Sequence, residues 1–194
     1  MLSIEQIVEQ YAKRFPDTSE KLAVYNPAIF QLQQLNSPIA HVPNLGIEHA
    51  KVIISNSEMA FETWKKSSIQ ERATKLRMLA ELLDRHKETL AKIIHLENGK
   101  PIDEALAEVQ YSIGFFNWFA TVVRTLRGVI TPSSDPNLQI QTIYRPIGVC
   151  AAITPWNFPL AMLAKKCAAA IAAGCAIVCK PAEQTPLSAI ALML

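Results

Sequence analysis

Residues 147–189 read IGVCAAITPWNFPLAMLAKKCAAAIAAGCAIVCKPAEQTPLSA, and this stretch decides the fold. The uninterrupted apolar run 147–153 is typical of a strand covered on both faces. A turn and a helix of small residues follow it, and a second short apolar run comes at 176–179. Thr185 is expected to cap a further helix, with Pro186 at its first position. Strand, helix, strand and helix in this order predict an α/β fold on a parallel sheet with right-handed crossovers.

The first part of the chain is predicted to alternate between helical and extended pieces. Residues 3–15 have an amphipathic helical pattern that ends at Pro16, and about forty residues of short extended pieces and turns are expected next. Ser55 with Glu58 forms a candidate capping box at the start of a helical region.

Two helical stretches are predicted between residues 68 and 128. Ser68 and Glu71 form a clear capping box at the start of the first, and Asn98-Gly99 ends it. Pro101 begins the second. Both carry apolar stripes at helical spacing, which predicts packing on a core. The stripes are Ile69, Ala73, Leu76, Ala80 and Leu83, then Leu106, Val109, Ile113, Phe116, Ala120 and Val123, widened by Phe115, Trp118 and Phe119. The alternative for the aromatic residues is a subunit contact.

Two further features concern strands and the end of the chain. LQIQTIY, residues 138–144, alternates polar and apolar side chains and predicts a half-exposed strand. The last helix, LSAIALML at 187–194, reaches the terminus without a capping glycine or a return strand. We expect its apolar face to lack a partner, and we interpret the chain as a fragment.

The composition excludes several classes of protein. Half of the residues are hydrophobic, 19% are charged and the net charge is +2, which favours a folded core and no concentrated basic face for nucleic acid. Lysines interrupt the apolar stretches, so no membrane span is predicted, and Glu5 and Glu9 argue against a secretory signal. We therefore expect a cytoplasmic protein without nucleic-acid or membrane partners.

The cysteines and histidines indicate no metal site. No Cys-x-x-Cys pair or nearby histidine spacing suggests zinc, and a disulfide framework would spread its cysteines more evenly. We interpret the cysteines as small buried thiols, and none is assigned as a nucleophile. They are Cys150, Cys167, Cys175 and Cys179, and the histidines are His41, His49, His86 and His95.

A series of ordered motifs resembles the aldehyde dehydrogenase superfamily, from about Val24 onward. The motifs are AFETW at 60–64, ERA at 71–73, ENGKPIDEA at 97–105, RPIGV at 145–149, ITPWNFP at 153–159 and KPAEQTPLSA at 180–189. Among branches of the family, the chain is most similar to succinate-semialdehyde dehydrogenases. The resemblance implies an incomplete Rossmann-like parallel sheet, an amino-terminal helical region and a projecting β segment.

The resemblance also implies a division of the chain into four parts. Residues 1–20 are expected to be a helical extension, and 21–128 the extended and helical part of the NAD-binding domain. Residues 129–146 are expected to be a projecting strand segment that makes subunit contacts, which implies a homo-oligomer. Residues 147–194 are expected to be the first, truncated βαβ part of the NAD-binding domain.

Asn157 is the candidate catalytic residue. It follows a predicted buried strand, at the edge where open parallel sheets bind ligands, and its amide N–H can donate to an oxyanion. By resemblance, it is the oxyanion donor of an aldehyde oxidation in which a thiolate adds to the carbonyl. The alternative is a turn asparagine that bonds its own backbone.

Two short segments are the candidate cofactor site. The first segment is Ile153, Thr154, Pro155 and Trp156, and the resemblance implies that these residues lie next to the bound cofactor. The alternative is that they only form a turn with a packed tryptophan, and both interpretations can hold together. The second segment directly follows the second strand and consists of Lys180, Pro181, Ala182 and Glu183. Lys180 is expected to bind the adenosine ribose of the cofactor. A carboxylate at Glu183 can accept from both ribose hydroxyls and would repel a 2′-phosphate, which favours NAD over NADP. The alternative for Lys180 and Glu183 is an exposed ion pair.

The nucleophilic cysteine, the general-base glutamate and the pyrophosphate turn of the family do not occur in these 194 residues. Groups that act as a unit fail together, so the chain alone is predicted to be inactive. Two hypotheses remain. In the first, the chain is part of an oxidoreductase that converts an aldehyde, with succinate semialdehyde as a candidate, to a carboxylic acid. In the second, it is a non-catalytic truncated product that at most binds nucleotide weakly or contacts other subunits.

Overall fold

The computed structural model describes residues 3–30 and 37–194, in which helices predominate. In chain order the elements are α1 (Ile4–Ala12), β1 (Lys21–Val24), α2 (Pro27–Phe30), β2 (Ala40–Pro43), α3 (Ile47–Trp64), α4 (Ile69–Arg85), α5 (Lys87–Asn98), α6 (Ile102–Val122), a 3₁₀ turn (Val123–Thr125), β3 (Val129–Pro132), β4 (Gln139–Thr142), β5 (Val149–Ile153), α7 (Ala161–Ala173), β6 (Ala176–Lys180) and α8 (Leu187–Met193).

The predicted α/β unit is confirmed. β5 and β6 pair in parallel, with Val149 opposite Ala176 and Ile153 opposite Lys180, and α7 crosses between them. Gly174 ends α7 in the left-handed conformation, at a φ of 82° that glycine adopts at no steric cost. Two parallel strands joined by a helix form an incomplete Rossmann-like sheet.

The main hydrophobic core lies where α4, α5, α6 and α7 meet. Leu76, Phe116 and Leu163 are fully buried there. The predicted start and end of the first stretch are confirmed, since Ser68 Oγ accepts from Glu71 N at 3.1 Å and Gly99 ends α5 at a φ of 79°. The stretch is not one helix, however, because α4 ends at Arg85 and α5 begins at Lys87. The aromatic prediction was wrong for Trp118, which is 65% exposed, because it points away from the side of α6 that carries Phe116.

A second hydrophobic cluster joins the two ends of the chain. Ile7 of α1, Val24 and Val42 of the β1–β2 pair, and Leu187 and Ile190 of α8 are all buried in it. The expectation that α8 lacks a partner for its apolar face was therefore wrong.

α3 corrects two predictions about the region before residue 64. It runs without a break from Ile47 to Trp64, so Ser55 lies inside a helix and begins none. No glycine or proline interrupts this range, and the helix starts directly after Gly46. The predicted extended region is therefore shorter than expected.

The strand predictions were right about position and wrong about burial. β4 pairs with β3 in an antiparallel hairpin whose residues are exposed on both faces, so 138–144 is not half-exposed. β5 is not covered on both faces either, and Ile153 is 74% exposed. The reason is that alternation and apolar runs predict what a strand can bury, while actual burial depends on what packs against it.

No helix in the described residues has the length and apolar character needed to cross a membrane.

Candidate active and cofactor site

The candidate site lies at the edge of the sheet where β5 and β6 both end. Ile153 and Lys180 are paired across the strands, and Thr154 N continues the ladder by donating to Lys180 O at 3.1 Å. The loop after β5 and the loop after β6 therefore leave the sheet side by side. This places the two predicted segments, 153–157 and 180–183, at one edge, as parallel strands require.

The loop after β5 presents most of its side chains to solvent. Ile153 is 74% and Trp156 57% exposed, and Pro155 and Asn157 are exposed as well. Trp156 is therefore not packed in a core. Thr154 is buried, and its Oγ1 has no hydrogen-bond partner within the described residues.

The Asn157 side chain forms no hydrogen bond in the described part of the chain, whereas its backbone carbonyl accepts from Lys100 Nζ at 3.1 Å. The turn asparagine that bonds its own backbone is thus not observed. An amide free of intramolecular partners can donate to a ligand.

Lys180 and Glu183 form the exposed contact that the alternative interpretation describes. Lys180 Nζ lies 3.5 Å from Glu183 Oε1, and more than half of each side chain is exposed. A surface pair of this kind contributes little to stability. The geometry is therefore compatible with an ion pair and with a pair that binds ribose hydroxyls.

A cavity of about 530 Å³ lies beside the two loops. Trp156 lines it from the first loop and Glu183 and Thr185 from the second, and Tyr25 and Asn98 line it as well. Its volume is in the range of small-ligand sites, roughly 300–1,000 Å³.

Glu108 on α6 was not found from the sequence. Its side chain is 1% exposed, and Oε1 accepts from Leu160 N at 2.9 Å and from Ala161 N at 3.1 Å, at the start of α7. Its Oε2 accepts from Lys100 Nζ at 2.5 Å. A carboxylate at this helix end satisfies amides that have no partner within the helix. The available signal was the position of Glu108 in the apolar stripe, three residues after the buried Ala105.

Glu97, near the end of α5, accepts hydrogen bonds from the first backbone amides of α8 in the same way. Its Oε2 accepts from Leu187 N at 2.6 Å and its Oε1 from Ser188 N at 2.9 Å. The prediction that Thr185 caps this helix was wrong, because the carboxylate of Glu97 occupies the position and Thr185 Oγ1 has no partner in the described range.

The loop after β5 is also held by the end of α5 and the turn that follows it. Asn98 Nδ2 donates to Trp156 O at 2.9 Å, next to the bond from Lys100 Nζ to Asn157 O. Lys100 Nζ lies 4.3 Å from the centre of the Phe158 ring. Residues 97–108 thus contact the loop after β5 and the start of α8.

Cys167 and Cys175 are buried as predicted, whereas Cys150 and Cys179 are only half-buried. Cys167 Sγ and Cys179 Sγ are 3.5 Å apart, and their hydrogen bond together with burial raises the pKa of the Cys167 thiol. Burial also raises the pKa of Cys150. The hydrogen bond from Cys167 lowers the pKa of the Cys179 thiol. Because the thiolate is the nucleophilic form, a raised pKa disfavours a nucleophilic role for Cys150 and Cys167.

Glu97 is expected to make the stability of the chain depend on pH. Burial, only partly offset by the amides of Ser188 and Leu187, raises the pKa of Glu97 from its ordinary value of 4.5 to about 7. A folded-state pKa above the unfolded one adds stability at low pH that is lost as pH rises through 7. We expect the free energy of unfolding to fall by about 2–3 kcal/mol more in the native chain than in Glu97→Gln between pH 5 and pH 8. Urea unfolding at a series of pH values measures this, with the exposed Glu104→Gln as the control. Parallel curves for native chain and Glu97→Gln would contradict it.

The chain is similar to known aldehyde dehydrogenases over most of its length. The profile of the aldehyde dehydrogenase family matches residues 15–194. An aspartate-semialdehyde dehydrogenase (non-phosphorylating) of Halomonas elongata is 42% identical over 91% of this chain and 34% of its own length. A succinate semialdehyde dehydrogenase of Acinetobacter baylyi is 40% identical over 91% of this chain and 35% of its own.

Solved structures agree with the sequence comparisons. The crystal structure of succinate-semialdehyde dehydrogenase from Burkholderia pseudomallei superposes with a TM-score of 0.86 and 40% identity, over 91% of this chain and 36% of that one. The chain spans about a third of the length of the curated relatives it matches. With a family profile that covers nearly all of it and a sheet edge built as predicted, the chain belongs to the aldehyde dehydrogenase family.

Proposed function

We propose that this chain supplies the amino-terminal part of an NAD-dependent aldehyde dehydrogenase, which oxidises a semialdehyde to a carboxylic acid. The observation that carries the proposal is the side-chain amide of Asn157, which follows β5 and forms no hydrogen bond within the described residues. Its neighbour Trp156 lines the cavity of about 530 Å³. Relatives named for aspartate, succinate and glutarate semialdehydes support a substrate that carries both an aldehyde and a carboxylate. Succinate semialdehyde is our candidate.

In the proposed reaction, Asn157 donates an N–H to the oxyanion that forms when a thiolate adds to the aldehyde. A preorganised donor stabilises charge that develops in the transition state and thereby raises the rate. The thiolate and the general base lie outside residues 1–194. Bound NAD would accept the hydride. Lys180 and Glu183 would hold its adenosine ribose, next to Pro181 and Ala182. The residues that would lie next to the cofactor after β5 are Ile153, Thr154, Pro155 and Trp156.

We propose NAD rather than NADP as the cofactor. Glu183 is exposed at the strand end, where its carboxylate can accept from two ribose hydroxyls and would repel a 2′-phosphate. Relatives differ here, since one from Escherichia coli is named as an NADP(+) enzyme.

The cofactor proposal predicts the effect of Glu183→Ser. Two unit charges about 4 Å apart repel by about 1 kcal/mol even in water, so the substitution should improve kcat/KM for NADP by about fivefold or more. Steady-state kinetics with both cofactors, in the protein that carries this segment, measure the change. Gln184→Ser is the matched neighbouring control and should leave the ratio unchanged. Faster turnover of the native protein with NADP at equal concentration would defeat the proposal.

The isolated chain of 194 residues is proposed to be inactive, because it contains neither the base nor the nucleophile. The test is to assay it for NADH formation with succinate semialdehyde and to read the coding sequence beyond Leu194. A downstream glutamate and cysteine in family context, with activity in the longer product, supports the enzyme. A stop codon supports a non-catalytic module. The boundaries at residues 20, 128 and 146, subunit contacts through 129–146, a homo-oligomer and a cytoplasmic location stay predictions.

A further inference from the structure

The backbone of Asn157 is held on both sides by side chains from outside its loop. Asn98 Nδ2 donates to Trp156 O at 2.9 Å, and that carbonyl belongs to the peptide that precedes Asn157. Lys100 Nζ donates to Asn157 O at 3.1 Å, and that carbonyl belongs to the peptide that follows. Two fixed peptide planes leave the φ and ψ of Asn157 little freedom, so the direction of its Cα–Cβ bond is set as well.

Lys100 is itself fixed. It is 10% exposed, its Nζ contacts Glu108 Oε2 at 2.5 Å, and the face of the Phe158 ring lies beneath it at 4.3 Å. Its three N–H donors thus face a carboxylate, a carbonyl and an aromatic ring.

Glu108 connects this contact to the end of the loop. Its second oxygen accepts from Leu160 N and Ala161 N, where the loop enters α7. At the other end, Thr154 N is bonded to Lys180 O of β6. The loop is therefore anchored at its start, at Asn157 and at its end, while the Asn157 side chain forms no hydrogen bond to any residue that the structure describes.

We propose that Asn98, Lys100 and Glu108 are positioning residues, which fix the loop 154–160 so that Asn157 presents its side-chain amide at the edge of the sheet. The inference rests on the proposed role of Asn157. A buried ion pair is not needed for stability, since well-packed apolar residues serve as well or better. An apolar pair, however, could not hold the Asn157 carbonyl, and this is the property that the charged pair adds.

The test measures the fluorine NMR resonance of Trp156, the neighbour of Asn157, in the chain labelled with 5-fluorotryptophan. Trp156 reports on the loop, and Trp64 and Trp118 on α3 and α6 serve as internal references for folding. In Lys100→Met, the Trp156 resonance is expected to shift by more than its line width and to broaden, while the other two keep their positions. Lys100→Arg should restore it, because a guanidinium can donate to Glu108 and to the carbonyl together. Lys92→Met, at an exposed lysine of α5, should move none of the three.

Asn98→Ala removes the other anchor with a smaller change, and it should also shift the Trp156 resonance. If Lys100→Met unfolds the chain and all three resonances collapse, Asn98→Ala decides alone. A Trp156 resonance that stays in place in every folded variant overturns the inference. The readout contains neither cofactor nor substrate, so failure here is distinct from failure of the proposed function, which the dehydrogenase assay reports.

Discussion

Replacement of Glu108 by alanine is expected to lower the free energy of unfolding of this chain by about 3–5 kcal/mol. The substitution leaves the ammonium of Lys100 buried without its carboxylate partner. It also leaves Leu160 N and Ala161 N, at the start of α7, without an acceptor. An uncompensated buried charge and unpaired amides are among the costliest single changes in a protein.

Urea unfolding followed by circular dichroism measures this loss. Glu104→Ala is the matched control, because Glu104 lies one turn earlier on α6 and is exposed; its effect should stay within about 0.5 kcal/mol. The double variant Lys100→Met with Glu108→Leu should recover much of the loss, since it removes both charges together. A loss below about 1 kcal/mol in Glu108→Ala would mean that water reaches Lys100.

Asn157→Ala, in the active dehydrogenase that carries this segment, is expected to lower kcat by about 10²–10³-fold. Its side-chain amide follows β5 and has no hydrogen-bond partner among the residues described, and loss of one oxyanion donor acts on the transition state. Since the backbone carbonyl remains, the bond from Lys100 Nζ is retained and the loop should keep its position. Asn157→Asp removes the donor at constant volume and should be at least as slow.

Steady-state kinetics separate this role from simple substrate binding. An interaction made only in the transition state lowers kcat and kcat/KM together. Asn117→Ala, at an exposed asparagine of α6, should leave both unchanged. A raised KM with kcat intact in Asn157→Ala would assign Asn157 to ground-state binding and end its proposed role as oxyanion donor.

The sheet and its edge could be predicted because their signals are local. The apolar runs before Thr154 and Lys180, and Gly174 between them, each act within a few residues, and parallel pairing then brings the two loops together. The candidate residues Asn157, Lys180 and Glu183 followed from their position after these strands together with the family resemblance of the motifs that contain them. Their roles stay predictions.

The partners of these loops could not be predicted because they come from far along the chain. Glu108 reaches the start of α7 across more than fifty residues, and Glu97 reaches α8 across ninety. The sequence near α8 offered Thr185 as a cap, which is chemically reasonable, and the distant carboxylate took its place. The prediction for Ser55 was wrong for a different reason, since helix α3 begins after Gly46 and continues through Ser55.

The cluster that joins α1 to α8 has a consequence for synthesis. Ile7 is buried against Leu187 and Ile190, about 180 positions later in the chain. At roughly 5–20 residues per second, the ribosome needs on the order of ten seconds or more to make that partner. Until then the apolar side of α1 has no α8 to cover it. Contacts this distant also slow folding itself, so α1 is expected to be among the last helices to become protected from hydrogen exchange.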